Sequence, residues 1–491
     1  MGETFAPRPA LGLETNTQDV DVRRLVYKDF AEPKPACRFN NQLTSRMSTT
    51  KDDTHKSSPA VAAPEPGQEP HFAAFVAIDW GDEKHAVALR VAGQAQTEHT
   101  ILEQKPEALI EWVAGLRQRF AGGAVAVILE QKRGALLYAL QPHEHLTLYP
   151  VNPQMIAKFR QAFYPSGAKD DPTDADLQLD ILLHHRDRLT AWRPDDATTR
   201  QLSLLVEGRR RFVADQVRIT NRLRDALKSY FPQALELAGE DLASPMACAF
   251  LQKWPSLAAI QQVKPAVLRR FYYAHHSRSE ELIAQRLKLQ AQARPLTTDE
   301  AIIAAQSLLV QSLAQELATL NPVLVRYDKQ IAQLFAAHTD FALWDSFPGA
   351  GPALGPRLAV AWGTQRDRFA DPQAMPCFSG IAPVKEASGK QLWIHLRWAC
   401  PKFLRQTFHE MAKCSLKWCA WALCYYRMQM ERGKGHHAAI RALAFKWQRI
   451  MWRCWQEHTP YDDAKYVASL KRSASDLYAR LSAAPAKEKC E

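Results

Sequence analysis

Four carboxylates stand at positions where together they could bind a divalent metal ion. Asp79 and Glu130 each end a short apolar segment that predicts a buried strand, so both should emerge at the same edge of one sheet. Asp171 and Asp174 are three residues apart at the start of a predicted helix and share one of its faces. Such a cluster can hold one or two Mg²⁺ ions, which polarise a phosphate and stabilise the attacking and leaving oxygens of phosphodiester chemistry. For Asp171, which precedes Pro172, an N-terminal helix cap is the alternative interpretation.

The elements around these acids predict a mixed sheet covered by helices. Apolar runs predict strands at residues 72–79, 84–91, 96–102, 124–130 and 146–151. Helices are predicted at 106–120 and after the fourth and fifth strands. The first three strands would form a meander and the later ones β-α units, which is typical of an α/β domain. After Pro172 the chain is predicted to be almost wholly helical.

The charge of the chain favours a polyanionic partner, and nucleic acid is the commonest one. Its 63 Lys and Arg residues exceed its 52 Asp and Glu residues, which gives a formal net charge of +11. A basic amphipathic helix is predicted at 198–230, and its candidates for contacting nucleic acid are Arg209, Arg210, Arg218, Arg222 and Arg224. The alternatives are a merely basic soluble protein and, for this helix, an ordinary solvated face.

Three classes of protein are disfavoured by composition. No run of about 18 apolar residues predicts a membrane span, and the N-terminus lacks the basic and apolar pattern of a secretory signal. The nine cysteines include no C-x-x-C pair, so reduced thiols are expected rather than disulfides or a zinc site. The sequence therefore predicts a cytoplasmic protein with no membrane partner.

The acidic positions lie in motifs that resemble a known family. Ile78-Asp79-Trp80-Gly81, Glu130 and Lys169-Asp170-Asp171-Pro172-Thr173-Asp174-Ala175 resemble the D-E-D-D signature of the Piv/MooV-like transposases of insertion-sequence family one-ten. Asp170 stands where that family commonly has Thr, and the three-residue spacing favours Asp171 with Asp174 as the ligating pair. The resemblance implies an N-terminal RuvC-like domain of the RNase H fold, with Mg²⁺ as its cofactor.

Motifs in the C-terminal half are similar to the same family. Residues 347–352 (FPGAGP) resemble its P-G-x-G-P turn, a helix-hairpin-helix-like element whose following helix start offers N–H groups to a phosphate; a plain helix-linking turn is the alternative. Residues 378–383 (FSGIAP) and 387–390 (ASGK) resemble its F-x-G-L-x-P and S-G blocks. Four further positions are similar to the closing helices of the family: Arg405, Tyr425-Tyr426, Arg432-Gly433-Lys434 and His437.

For mechanism, the resemblance implies a serine nucleophile in the C-terminal domain beside the acidic site. Ser388 is assigned this role because it lies in the S-G that follows the G-x-x-P block, and Ser379 is the second candidate. A turn serine before glycine is the alternative interpretation of Ser388. Trp393 and Trp398 are expected in the core. Candidate phosphate ligands around the serine are Lys385, Lys390, His395 and Arg397.

The resemblance also implies the partners of the enzyme. These are double-stranded DNA, as element ends and target, and a structured guide RNA transcribed from the element's own end. Base pairing would then read sequence while the protein reads backbone and shape. A homo-oligomer in the bacterial cytoplasm is expected.

Composition and resemblance together divide the chain into five segments. A disordered tail is predicted at 1–70, with Met47 as the natural start, and a RuvC-like domain at 71–190. Residues 191–340 should hold the basic helix and a segment at 300–336 with heptad-like spacing, interrupted at Pro322, as a coiled-coil arm or helical hairpin. A mostly α-helical C-terminal domain is predicted at 341–460, followed by a tail at 461–491.

Two other functions are compatible with the same sequence. A RuvC-like nuclease or junction resolvase would hydrolyse DNA with the four acids and without Ser388. A non-catalytic nucleic-acid-binding protein would retain only a degenerate fold, and the intact set of acids argues against it. Detection of protein covalently joined to DNA separates these alternatives from a serine recombinase.

Overall fold

The computed structural model of the chain describes residues 71–130, 134–163, 171–389 and 391–483, and excludes the side chains of residues 171 and 172. The predicted tail at 1–70 and the possible start at Met47 lie outside the described residues. The same is true of Asp170 and Lys390.

The N-terminal domain is built on a five-stranded mixed sheet with the strand order β3-β2-β1-β4-β5. The strands are β1 (Ala74–Asp79), β2 (Lys84–Val91), β3 (Thr97–Glu103), β4 (Val125–Leu129) and β5 (Leu146–Pro150). The first three strands pair antiparallel, whereas β4 is parallel to both β1 and β5. The helices of this domain are α1 (Pro106–Arg119), α2 (Ala135–Leu140), α3 (Pro153–Phe163) and α4 (Asp171–His184). The predicted meander followed by β-α units is confirmed, and it is consistent with a RuvC-like fold.

The two faces of this sheet differ in the size of their side chains. On one face Val76 and Ile78 pack with Leu109 and Leu136 of α1 and α2. The other face presents alanines to α4, because side chains alternate between the faces of a strand. These alanines are Ala77, Ala86, Ala88 and Ala126, all buried. Small side chains allow α4 to lie close to the sheet, which brings its polar residues to the strand ends.

The middle of the chain is a helical region organised by two long helices. They are α5 (Ala197–Tyr230) and α11 (Glu300–Ala336). Between them lie α6 (Ala234–Leu237), α7 (Pro245–Lys253), α8 (Leu257–Gln261), α9 (Pro265–Ala274) and α10 (Glu280–Gln292). The long helices run antiparallel. Arg209 of α5 pairs with Asp328 of α11, and seven residues later in α5 Gln216 Nε2 donates over 2.8 Å to Oδ1 of Asn321, which lies seven residues earlier in α11.

The predicted interruption at Pro322 is wrong, because α11 continues through it from Glu300 to Ala336. Proline removes one backbone donor from a helix, but packing against α5 stabilises this one on both sides of Pro322. Gly208 of α5 shows how close the helices are, since a Cβ atom there would lie 2.9 Å from the ring of Tyr327.

In length and composition α11 is also the one helix of the described chain that could span a membrane. Its contacts give it another role. It packs along α5 and α7, and its polar side chains bind neighbouring segments: Asn321 Nδ2 donates to the carbonyl oxygen of Ala243 over 2.6 Å, and Gln311 Nε2 to that of Gln252 over 3.0 Å.

The C-terminal part is helical apart from one β-hairpin. Its elements are α12 (Phe341–Asp345), α13 (Gly351–Trp362), α14 (Ala374–Ser379), β6 (Val384–Ser388), β7 (Gln391–His395), α15 (Lys402–Trp418), α16 (Ala420–Glu431), α17 (His436–Gln456), α18 (Asp463–Arg472) and α19 (Asp476–Ala483). Its core contains five fully buried tryptophans: Trp344, Trp362, Trp421, Trp447 and Trp455. Residues 461–483, predicted as a tail, belong to this core, because Leu470 and Leu477 of α18 and α19 are buried in it.

Candidate active site

The parallel pairing of β1 and β4 brings the first two acids to one edge of the sheet. Ile78 of β1 lies opposite Leu129 of β4 in the register. Asp79 follows Ile78, and Glu130 follows Leu129, so the two acids come next along the two parallel strands. Both carboxylates are half-buried. The strand register therefore places Asp79 and Glu130 at the same edge of the sheet, as the sequence predicted.

The turn after Asp79 has a fixed conformation. A Cβ atom at Gly81 would lie 2.2 Å from the carbonyl oxygen of Lys84, so only glycine fits there. The Gly81 N–H donates to Nδ1 of the buried His85 over 3.2 Å. Nδ1 is thus an acceptor, and Nε2 carries the proton that it donates to Gln104 Oε1 over 2.5 Å. These contacts hold the end of β1 and, with it, Asp79.

Helix α4 approaches the same edge with two buried polar residues. Gln178, fully buried, donates from Nε2 to Asp79 Oδ1 over 2.9 Å. Asp174 is one helical turn earlier on the same face and is only 4% exposed. Arg186, which follows α4, lies over the rings of Phe72 and Phe75 at the start of β1. Helix α4 therefore runs from the end of β1 back toward its start, and Asp174, in its first turn, lies toward the edge where Asp79 and Glu130 leave the sheet.

Arg160 of α3 compensates the buried charge of Asp174. Its Nη2 forms an ion pair with Asp174 Oδ1, and the two side chains are 20% and 5% exposed. A buried carboxylate without such a partner would be strongly destabilising. The pair therefore joins α3 to α4 on either side of residues 164–170.

The donor set has the chemistry that Mg²⁺ prefers, although no complete cage is assembled. Among residues whose side chains are described, no group of three or more His, Cys, Asp or Glu is arranged to hold a metal ion. The side chain of Asp171 is outside this described set. Carboxylate and amide oxygens are suitable hard ligands. In addition, Gln178 Oε1 is buried and has no hydrogen-bond partner among the described residues. Such an atom beside Asp79 fits an oxygen-rich cation site.

The two candidate serines differ sharply in accessibility. Ser379 is fully buried at the end of α14, where its Oγ accepts from Gln448 Nε2 over 2.8 Å. Ser388 is exposed at the tip of the β6–β7 hairpin, opposite Gln391 in the register. Gly389 follows with a φ of 57°, a conformation that favours glycine. Only Ser388 is placed where a DNA strand can reach it.

The expectation that Trp393 and Trp398 belong to the core is wrong. Trp393 lies on β7 of the two-stranded hairpin and is 42% exposed, and Trp398, three residues after β7, is 71% exposed. Ile394, next to Trp393, is 65% exposed. Exposed aromatic rings beside His395 and Arg397 are typical of surfaces that contact nucleic acid.

The arginines of α5 are only partly available for phosphates. Arg209 is paired with Asp328, Arg210 with Glu207 and Arg218 with Asp215. In the described part of the chain, Arg222 and Arg224 have no ion pair. Exposed pairs of this kind contribute little to stability, so nucleic acid can compete for them.

Sequence reasoning missed Arg160 and Gln178, which contact Asp174 and Asp79, respectively. Gln178 is four residues after Asp174 and therefore on its helix face, which is a usable signal. Arg160 has no such signal, because its contact joins two helices across residues 164–170.

Comparisons with known proteins give matches for the N-terminal and the C-terminal part of the described chain. A sequence model for the DEDD transposases of IS110, described as a transposase, matches residues 76–232. A second, described as the transposase IS116/IS110/IS902 family, matches residues 342–427. The first match includes β1 through α5, with all the acids, and the second includes the turn before α13 and the serine hairpin.

Similar curated proteins come from bacterial insertion elements. The "Mini-circle putative transposase for IS117" of Streptomyces coelicolor is 26% identical over 426 residues, which cover 83% of this chain and 100% of the relative. An uncharacterized 44.8 kDa protein of insertion element IS116 from Streptomyces clavuligerus is 25% identical over 78% of this chain and 94% of its own length. An uncharacterized 42 kDa protein of IS900 from Mycobacterium paratuberculosis is 26% identical over 74% and 90%, respectively. Residues 76–232 and 342–427 are thus similar to transposase domains of IS110-type elements, and the chain is a transposase, an enzyme that cuts and joins DNA.

Proposed function

We propose that this transposase recombines insertion-sequence DNA through a covalent serine–DNA intermediate. Ser388 is the nucleophile, and Mg²⁺ is held by Asp79, Glu130, Asp171 and Asp174. The observation that carries the proposal is the sheet edge shared by Asp79 and Glu130 on the parallel strands β1 and β4. The buried Asp174 on α4, which packs on the same sheet, supports it.

The chain's own residues prepare this edge for a cation. Bound Mg²⁺ would polarise the phosphodiester and offset its developing negative charge. Gln178 holds Asp79 through a hydrogen bond, which restricts the carboxylate to one orientation. Arg160 forms an ion pair with the buried carboxylate of Asp174 and offsets its charge.

The serine step conserves the number of phosphodiester bonds. Ser388 Oγ forms a bond to phosphorus while the bond between phosphorus and a deoxyribose oxygen breaks. The hydroxyl proton leaves Oγ, and the departing sugar oxygen takes up a proton. Because an ester replaces an ester, the reverse reaction with a second strand can rejoin the DNA. The exposed position of Ser388 supports this role, and the burial of Ser379 argues against the second candidate.

The proposal includes a structured guide RNA and a homo-oligomeric enzyme in the bacterial cytoplasm. Its support is electrostatic. The chain carries a net charge of +11, and a guide RNA would be held mainly through its backbone. Arg222, exposed on α5, and the half-buried Arg224 are the arginines of that helix with the best access to phosphates.

A covalent-adduct assay tests the serine assignment. The full chain is incubated with element-end DNA, the RNA transcribed from the element end and Mg²⁺, and protein that remains on DNA after denaturation is quantified. Ser388→Ala should eliminate this adduct, whereas Ser379→Ala should retain it. An adduct that survives in Ser388→Ala and disappears in Ser379→Ala would assign the nucleophile to Ser379. Cleaved DNA without adduct in the unmodified enzyme would establish a RuvC-like nuclease instead.

The RNA is tested in the same reaction. Recombination should require the transcript and should follow its sequence when the predicted pairing segments are exchanged. Equal recombination without the transcript would contradict the guide.

A further inference from the structure

Helices α15 and α17 present a row of basic side chains to each other. Arg405, His409 and Lys413 recur every four residues and therefore lie on one face of α15. His437 and Arg441 have the same spacing on α17. The rings of His409 and His437 are 5.5 Å apart between centroids, so these faces meet. We call these five residues the basic seam.

Arg405, His409, Lys413 and Arg441 of the basic seam are partly buried, whereas His437 is exposed. Burial, together with repulsion from His437, Arg441, His436 and Lys413, lowers the pKa of His409 to about 4. Burial also lowers the pKa of Arg441, and Arg405 adds to this effect. No carboxylate is among the groups that shift either pKa.

The carboxylate of Glu410 on α15 is engaged by other side chains than Lys413 and Arg441. Glu410 of α15 is bound by Arg357 over 2.5 Å and accepts from Gln406 over 2.7 Å. Within the ranges that the structure describes, neither Lys413 nor Arg441 forms an ion pair. Half-buried cations that lack a counter-ion destabilise a fold. A bound external anion would neutralise these cations, which would explain why they are kept together.

The basic seam adjoins the hairpin that carries Ser388. Arg405 Nη1 donates to the carbonyl oxygen of Arg397, two residues after β7, over 3.2 Å. In the part of the chain that the structure describes, the buried Nε of Arg397 has no hydrogen-bond partner, so Arg397 adds an unsatisfied donor. In the hairpin, Val384 pairs with His395 at the base, and Ser388 lies at the tip. An anion on the basic seam would therefore lie at the base of the serine hairpin.

We propose that the basic seam binds a phosphodiester group of the nucleic acid handled by this enzyme. The DNA-joining activity supplies this class of anion, and strands that reach Ser388 pass the hairpin next to the basic seam. The site is independent of the four acids, and it does not depend on which serine is the nucleophile. DNA and RNA share the phosphodiester chemistry, so the two are separated by experiment.

Charge-removing variants of the full chain test this site. Arg441→Gln and Lys413→Gln are compared with Arg453→Gln, which removes the same charge from an exposed residue of α17 that pairs with Glu457. Binding of labelled duplex DNA and, separately, of a labelled RNA hairpin of equal length is measured by anisotropy at several salt concentrations. One lost phosphate contact should weaken binding about tenfold near 0.1 M salt and reduce the slope of log K against log salt by about one.

The outcomes are distinguishable from a folding defect. Arg441→Gln removes one of several repelling charges, so its melting temperature should equal or exceed that of the unmodified protein. A loss confined to the DNA or the RNA arm identifies the strand that occupies the basic seam, and a loss in both identifies a shared backbone site. If Arg441→Gln does not fold, Lys413→Gln decides. Affinities and salt slopes equal to those of Arg453→Gln would overturn the proposal.

Discussion

The side chain of Gln178 donates a hydrogen bond from Nε2 to Asp79 Oδ1 over 2.9 Å and thereby ties the middle of α4 to the end of β1. The other polar atom of this amide, Oε1, is buried and accepts no hydrogen bond from the described residues. Gln178 is thus a positioning residue for the carboxylate on which the proposed Mg²⁺ site depends.

Gln178→Leu should therefore impair Mg²⁺-dependent strand transfer by about 10- to 100-fold, the usual effect of removing a group that orients a metal ligand. The matched control is Gln290→Leu. Gln290 is also a buried helical glutamine, and it donates to the carbonyl oxygens of Ile260 and Val263 over 2.6 and 2.8 Å. Both variants should lose about 1–3 kcal/mol of stability. Strand-transfer activity is measured for both variants, and the melting temperature of each is measured at increasing Mn²⁺ concentrations. An equal rise in melting temperature with Mn²⁺ in both variants would contradict a positioning role.

Arg160→Gln is expected to strengthen the response of the protein to divalent cations. Without Arg160, the charge of Asp174 is uncompensated, so the metal-free protein should melt at a lower temperature. Added Mg²⁺ or Mn²⁺ can then replace the lost charge, and the cation-induced rise in melting temperature should exceed that of the unmodified protein. Arg119→Gln is the control, since it breaks an exposed pair with Glu98 in the same domain. A smaller cation effect in Arg160→Gln than in this control would argue against a cation at Asp174.

Asp79→Asn and Asp174→Asn should abolish strand transfer while leaving affinity for nucleic acid within about threefold, because the proposed site acts on the phosphate and contributes little to backbone binding. Removal of divalent ions with a chelator should have the same effect on the unmodified enzyme. Asp176→Asn provides the control on α4, since Asp176 is exposed and contacts His99 over 2.8 Å. Recombination near the unmodified level in Asp174→Asn would remove this residue from the site.

Much of the sheet and its acidic edge was predictable, because local pattern determines it. Apolar runs ending in Asp79 and Glu130 predict two buried strands. Because parallel strands end at the same edge of a sheet, the residues that follow them lie at that edge. The role of Gln178 depends instead on how α4 is placed across the alanine face, which no local pattern specifies. The same limit applies to Pro322, where packing on α5 overrides the local preference, and to Trp393, which is exposed on the two-stranded hairpin.

Acidification should destabilise the protein through His409 before most carboxylates titrate. Its folded-state pKa is lowered to about 4 by burial and by His437, Arg441, His436 and Lys413, against an ordinary value of 6.5. Between these values the unfolded chain binds a proton that the folded chain does not, so stability is present above pH 6.5 and falls as the pH decreases toward 4. The lowered pKa values of His145 and His338, both caused mainly by burial, act in the same direction.

For His409 alone the loss across this window is at most about 3 kcal/mol. Urea unfolding at several pH values between 7.5 and 4 measures the slope, and His409→Gln should reduce it, whereas His99→Gln at an exposed site is the comparison. A slope unchanged by His409→Gln would show that His409 accepts its proton in the folded protein as readily as in the unfolded chain. In that case the charges of the basic seam would be better solvated than their burial indicates.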